Sequence, residues 1–140
     1  MGAIKRTPAD IAFSHCVRAS VSYVCQRCGA DHSNSPGALD CSHHFSRGNW
    51  SVRFDPWNAE ALCYGCHAYI GGTEERMRQV MTGAQIELLR EKKNDTALGK
   101  LYRKTRGVGE IAAHYRAEHQ RIKSERAAGK TGVIEFEAFL

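Results

Sequence analysis

No apolar run in this chain approaches the roughly 18 residues needed to cross a bilayer, and the N-terminus lacks the hydrophobic stretch of a secretory signal. Both absences argue against a membrane or exported protein, so we expect a cytoplasmic chain with no membrane partner. No internal repeat and no low-complexity segment is visible, which excludes solenoids and long disordered linkers. Nor does any stretch resemble a code for reading bases. What the chain does have is cysteine, six in 140 residues. In a reducing compartment, paired cysteines are better read as metal ligands than as disulfides. A hydrophobic content of 42% and a formal charge of +5 fit one modest core with appendages and a leaning toward polyanionic partners.

Local signals divide the chain. Thr7-Pro8 opens a helix, with Asp10 in its first turn and Ala9, Ala12, Phe13, Cys16 and Val17 on one apolar stripe. This predicts a helix over residues 8–19, with His15 and Arg18 solvated and Cys16 and Cys41 serving as small core hydrophobes. Val21 to Val24 reads as an extended lead into Cys25. Residues 38–45 and 50–54 read as two strands joined at Arg47-Gly48-Asn49 into a hairpin, and a helix should start near Cys63. Gly71-Gly72 breaks that helix, and Met77, Val80, Met81, Ala84 and Leu88 supply the apolar face of the next, which Gly83 can split. Asn94-Asp95 and Gly99 mark a loop. A last helix is expected over 109–127, followed by a strand or loose tail at 133–140. The organisation expected is an N-terminal helix (1–22), a metal-bound core (23–72) and a helical basic region with its tail (73–140).

Two Cys-x-x-Cys pairs, Cys25/Cys28 and Cys63/Cys66, fit one tetrahedral zinc with four thiolates. Zinc suits the role because it is redox-inert and leaves no open position. Between and beside the pairs lie His43-His44, Asn58 and His67. Cutting a phosphodiester needs a base to deprotonate water and a cation to stabilise the phosphorane and the leaving oxygen. One imidazole on a strand can be the base, a second on a helix can hold the cation, and an Asn can tie the intervening loop to the strand.

Cys41-Ser42-His43-His44-Phe45-Ser46-Arg47, Val52-Arg53-Phe54-Asp55-x-x-Asn58 and Leu62-Cys63-x-x-Cys66-His67 resemble the HNH family of ββα-metal endonucleases, in its treble-clef variety with a four-cysteine zinc site. The similarity is closest to the phage lambda NinG (Rap) recombination endonucleases. It is specific over residues 25–72 and looser over the rest of 8–127. The fold class it implies is α+β: a small ββα-metal core with a zinc site, an N-terminal helix and a helical basic C-terminal region. It further implies a structural Zn²⁺, a catalytic Mg²⁺ or Mn²⁺, a phage or prophage origin and branched DNA as substrate. His67 is a ligand of the catalytic ion in either of two registers. In one, His43 joins it and His44 is the base. In the other, the base stands ten residues before the Arg of Arg-Phe-Asp and four before an earlier Arg, which selects His43. We favour His43. Asp40 is a candidate second ligand. The Lys that often follows the final His in the family is replaced here by Tyr69-Ile70-Gly71-Gly72.

Arg47 and Arg53 flank the candidate base and are expected to clamp phosphates, and Lys100, Arg103, Lys104 and Arg106 with Tyr102 to track a DNA backbone. Symmetric cutting of a junction would call for a homodimer. The competing readings are a zinc-stabilised DNA-binding module without catalysis, and an HNH nuclease for phage packaging or DNA degradation.

Overall fold

The computed structural model describes residues 5–105 and 109–140. In it the chain is a mixed α+β protein of six helices and one two-stranded antiparallel sheet: α1 (Pro8–Ser20), β1 (Leu39–His43), β2 (Ala59–Cys63), α2 (Tyr64–Ile70), α3 (Glu74–Met77), α4 (Gly83–Lys93), α5 (Thr96–Thr105) and α6 (Glu110–Ala127). Among the described residues no helix is long and apolar enough to cross a membrane. One hydrophobic cluster runs from Ala12 in α1 to Phe136 in the tail and takes side chains from all three sequence segments.

Helix α1 starts as its local signals predict. The Thr7 side chain accepts from the Asp10 backbone N–H, and the Asp10 carboxylate accepts from the Thr7 backbone, a reciprocal cap. Its stripe of Ala12, Phe13, Cys16 and Val17 is buried against α6, which contributes Ile111, Tyr115 and Ile122. The Phe13 ring meets Phe54, Tyr115 and Phe136 edge-on at 5.9, 5.1 and 5.8 Å, a geometry that sets ring edges against π faces. Arg126 of α6 donates to the carbonyls of Ala19 and Ser20 and so satisfies the open end of α1. Between α1 and Cys25 the chain turns rather than extends, with Ser22 and Tyr23 both at positive φ.

The hairpin differs from expectation. β1 pairs with β2, Leu39 opposite Cys63 and His43 opposite Ala59, and residues 50–54 form no strand. They make successive turns instead, with Val52, Arg53 and Asp55 donating to Asn49, Trp50 and Val52. Asn58 imposes this arrangement: its amide donates to the carbonyls of Phe45 and Val52, and its carbonyl accepts from the Phe45 N–H. One buried side chain thus closes the whole loop from Phe45 to Asn58.

After β2 the chain enters α2, which stops at Gly71 in a left-handed conformation with φ 52°. A one-turn α3 and a separate α4 follow, and Thr82 with Gln85 caps α4 reciprocally. The buried face of α4 is Ile86 and Leu89, whereas Leu88 is exposed. Gly99 lies inside α5 rather than in a loop, on the side of the helix that faces Ser51. The tail is neither strand nor loose. Ile134 and Phe136 are buried, and the backbone of Phe139 donates to the Tyr115 hydroxyl while that of Leu140 donates to the Tyr102 hydroxyl.

Glu60 sits opposite Ser42 in the sheet, 3% exposed, with one carboxylate oxygen lacking a partner. Burial pushes its pKa up to about 8. The folded chain therefore keeps a proton that the unfolded chain loses above about pH 4.5, and stability falls as pH rises from there to about 8. Glu60→Gln should raise the melting temperature at pH 8, by the equivalent of a few kcal/mol, and raise it much less at pH 5.5. A gain equal at both pH values would show that ionisation of Glu60 is not the cost.

Candidate metal centre and cleft

The cysteines converge. The sulfurs of Cys25, Cys28, Cys63 and Cys66 all lie within 4.8 Å of one another. Tetrahedral zinc with Zn–S bonds of about 2.3 Å sets its sulfurs about 3.8 Å apart, and Cys28 and Cys63 stand at 3.8 Å. The group can therefore hold a metal ion such as zinc. The first pair sits on a tight turn closed by the Gly29 N–H on the Cys25 carbonyl, and Gly29 supplies the positive φ of 77° that the turn needs. Gln26 docks this turn on β2: its backbone donates to the Ala61 carbonyl and its side chain accepts from the Ala61 N–H. In the second pair, Cys63 is the N-cap residue of α2 and Cys66 lies in its first turn. Burial works against a Cys25 thiolate, but hydrogen bonds from the backbones of Cys28, Cys63 and Arg27 outweigh it and bring the pKa down to about 6. Arg27 also donates to the Cys66 sulfur.

One residue beyond Cys66, His67 faces β1. Its Nδ1 stands 3.0 Å from Oδ2 of Asp40, and both side chains are partly exposed. They open onto a cleft of about 520 Å³ that is also lined by His43, Arg47, Cys41, by Arg6 just ahead of α1, and by the α1 residues Asp10, Ser14 and Arg18. Of the residues selected from sequence, the structure brings together His43, Asp40, His67 and Arg47.

His43, the last residue of β1, and His44, the first beyond it, part company. The His43 ring packs beside Phe13, and its Nε2 is buried without a protein partner. Burial, then the nearby Arg47, pushes its pKa down to about 4 against the pull of Asp10 and of a backbone hydrogen bond at Arg53. His44 lines no part of this cleft. It packs on Phe45, is lowered by burial, and feels the charges of Glu74 and Arg90 on the α3–α4 side.

Several sequence-selected residues lie elsewhere. Asn58 is wholly buried and acts on the loop, so its place is beneath the site rather than in it. Arg53, expected at a phosphate, is 2% exposed. It forms a two-point pair with Asp10 at 2.7 and 3.1 Å and donates to the carbonyls of Lys5 and Arg47. A phosphate would have to displace Asp10 to reach it. Lys100, Arg103 and Lys104 are exposed on α5, but Tyr102 is buried and cannot stack on a base. Arg106 lies outside the described residues. Conversely, Arg18, expected in solvent, lies on the cleft wall, and so does Arg6, which the sequence reading passed over. Their only signal was position, one on each side of Asp10 near a helix that packs on the hairpin. Comparison with protein-family models, curated proteins and solved structures finds no match to this chain.

If the cysteine group holds zinc, the purified chain carries one equivalent by elemental analysis. Chelation or Cys28→Ser then lowers the melting temperature by roughly 10 °C or more. A metal-free chain that melts at the same temperature would remove the metal from the fold.

Proposed function

We propose that the chain is a metal-dependent DNA endonuclease of the HNH kind that hydrolyses phosphodiester bonds. The observation that carries this reading is the meeting of His43, Asp40, His67 and Arg47 on one cleft, beside a cysteine group fit for a structural zinc. A binding module without catalysis has no need of a desolvated, unpartnered imidazole on the same cleft as a carboxylate–imidazole pair. The resemblance to the NinG nucleases points to branched recombination intermediates in the cytoplasm of a phage-infected or lysogenic cell.

Asp40 and His67 suit a second, catalytic ion. Adjacent ligands of octahedral magnesium, at about 2.1 Å each, stand about 3.0 Å apart, and the two ligand atoms are separated by 3.0 Å. When bound there, Mg²⁺ or Mn²⁺ would neutralise charge on the phosphorane and the leaving oxygen. His43 accepts at Nε2 the proton of the attacking water as the new P–O bond forms and the bond to the leaving oxygen breaks. Arg47 donates N–H groups to the non-bridging oxygens. Asn58 and Arg53 touch no substrate and hold the loop that carries Arg47.

Supercoiled-plasmid nicking with Mg²⁺ or Mn²⁺ tests this. His43→Ala should lose roughly 100- to 10,000-fold in rate, while His44→Ala stays within a few-fold of wild type. Equal rates in all three proteins would sink the catalytic reading. Four-way junctions should be cut faster than linear duplex of the same sequence, and no preference would count against a recombination role.

The pH profile carries a further expectation. An ordinary imidazole base gives a rate that climbs through about pH 6 to 7. His43, with its pKa near 4, is neutral well below that, so wild type shows no acid limb between pH 5 and 8. Arg47→Gln removes a charge that holds the pKa down, and its acid limb moves to higher pH. A wild-type inflection at pH 6 to 7 would assign the proton to another group.

A further inference from the structure

The α1 wall of the cleft has a feature that hydrolysis at His43 does not use. Arg6 and Arg18 send their Nη2 atoms to the same oxygen, Ser14 Oγ, at 3.3 and 3.2 Å. Ser14 is 2% exposed, and its own hydroxyl proton goes to the Ile11 carbonyl at 2.7 Å. Both lone pairs of that oxygen are therefore taken by cations and its donor is spent, which fixes two guanidinium groups around one buried point. Arg18 also reaches toward the Leu39 carbonyl at the start of β1.

Among the described residues neither arginine forms an ion pair with a carboxylate. Asp10 lines the same cleft but is committed to Arg53. Asp40 faces His67. Among the described residues the cleft thus carries three guanidinium groups without an ion pair, Arg6, Arg18 and Arg47, against two carboxylates, of which Asp10 is held by Arg53 and Asp40 is shared with a histidine. Two like charges drawn together on a neutral hydroxyl repel each other, and an anion between them relieves the repulsion. A guanidinium presents N–H groups in a planar fork that matches phosphate oxygens.

We propose that Arg6 and Arg18, held by Ser14, form a second phosphate site on the α1 wall, which takes a backbone phosphate of the same nucleic-acid strand whose neighbouring phosphodiester lies at His43. This rests on the reading of the cleft as a phosphodiester site and adds the strand's direction of approach, across α1. The substrate class is then a polynucleotide rather than a small phosphodiester. Arg6 and Arg18 hold the strand and take no part in the bond change at His43.

The test is equilibrium binding of a labelled DNA duplex by the full zinc-loaded chain across a range of salt, with Ca²⁺ as the divalent ion and no Mg²⁺ or Mn²⁺, so that cleavage is not needed for the readout. Each phosphate neutralised contributes about 0.9 to the slope of log affinity against log salt. Arg6→Gln/Arg18→Gln should lower that slope by about 0.9, and weaken binding about tenfold or more at low salt. Arg6→Lys/Arg18→Lys keeps both charges and should keep the slope. Ser14→Ala should keep it as well, while weakening binding because the pair is no longer fixed. An unchanged slope in the Gln variant overturns the proposal. So does an equal fall in the Lys variant, which would mark a role in folding. Inorganic phosphate that raises the melting temperature of wild type while the duplex slope stays unchanged in the Gln variant would identify a small-anion site and overturn the strand assignment. A chain that cuts no DNA but loses slope in the Gln variant would leave this site standing while the nuclease reading falls. Cleavage with an unchanged slope would do the reverse.

Discussion

The buried pair between Asp10 and Arg53 is the interaction on which the geometry of the cleft depends. Asp10 closes the first turn of α1 through Thr7, and the same carboxylate takes two N–H groups of Arg53. Arg53 spends its other donors on the carbonyls of Lys5 and Arg47 and lays its guanidinium over Trp50. Two charges out of water are tolerable only when each is fully engaged, and removing one partner typically costs about 3–5 kcal/mol. Here every guanidinium nitrogen has an acceptor, and the pair ties the start of the first helix to the loop that follows β1. Arg47 and His43 owe their relation to α1 to that tie.

Asn58 performs the matching task from the other side. The loop between the strands has turn hydrogen bonds but no ladder of its own, so side chains that reach its carbonyls help to set its course. Asn58 reaches two and Arg53 a third, both from buried positions where water offers no alternative partner. The result is a loop of successive turns, closing in a 3-10 turn at Pro56–Asn58, that is held at both ends. The cysteine group secures the opposite flank, since Cys63 and Cys66 define where α2 begins and His67 follows directly.

How much of this was legible depended on range. The start of α1 could be read because Thr7, Pro8 and Asp10 act within one turn of each other. The cysteine group could be read because thiolate spacing on a tight turn is a local signal. Strand β2 could not, since Ala59-Glu60-Ala61-Leu62 has the composition of a helix and is held extended only by pairing with β1. Trp50, Val52 and Phe54 alternate like a strand, yet their carbonyls and N–H groups are claimed by turns and by Asn58. The face chosen by each of His43 and His44 follows from register, which no single-residue property encodes. Arg53 and Arg18 depart from their expected places for the same reason. The partners that bury one and expose the other, Asp10 and the rim of the hairpin, are distant in sequence and adjacent only in the fold.

The first helix finds its partner in the last, and the Ser20 carbonyl is capped by Arg126 and by the N–H of Ile134. The chain therefore carries a long-range closure around everything between. The hairpin side gives α1 some of its partners, through Arg53 and Phe54, but its largest contact is with α6, more than a hundred residues further along the chain. The wall of the cleft that bears Arg18 therefore rests on a helix and a tail that are remote in sequence, and a substitution in Ile122 or Ile134 can disturb the cleft without lining it.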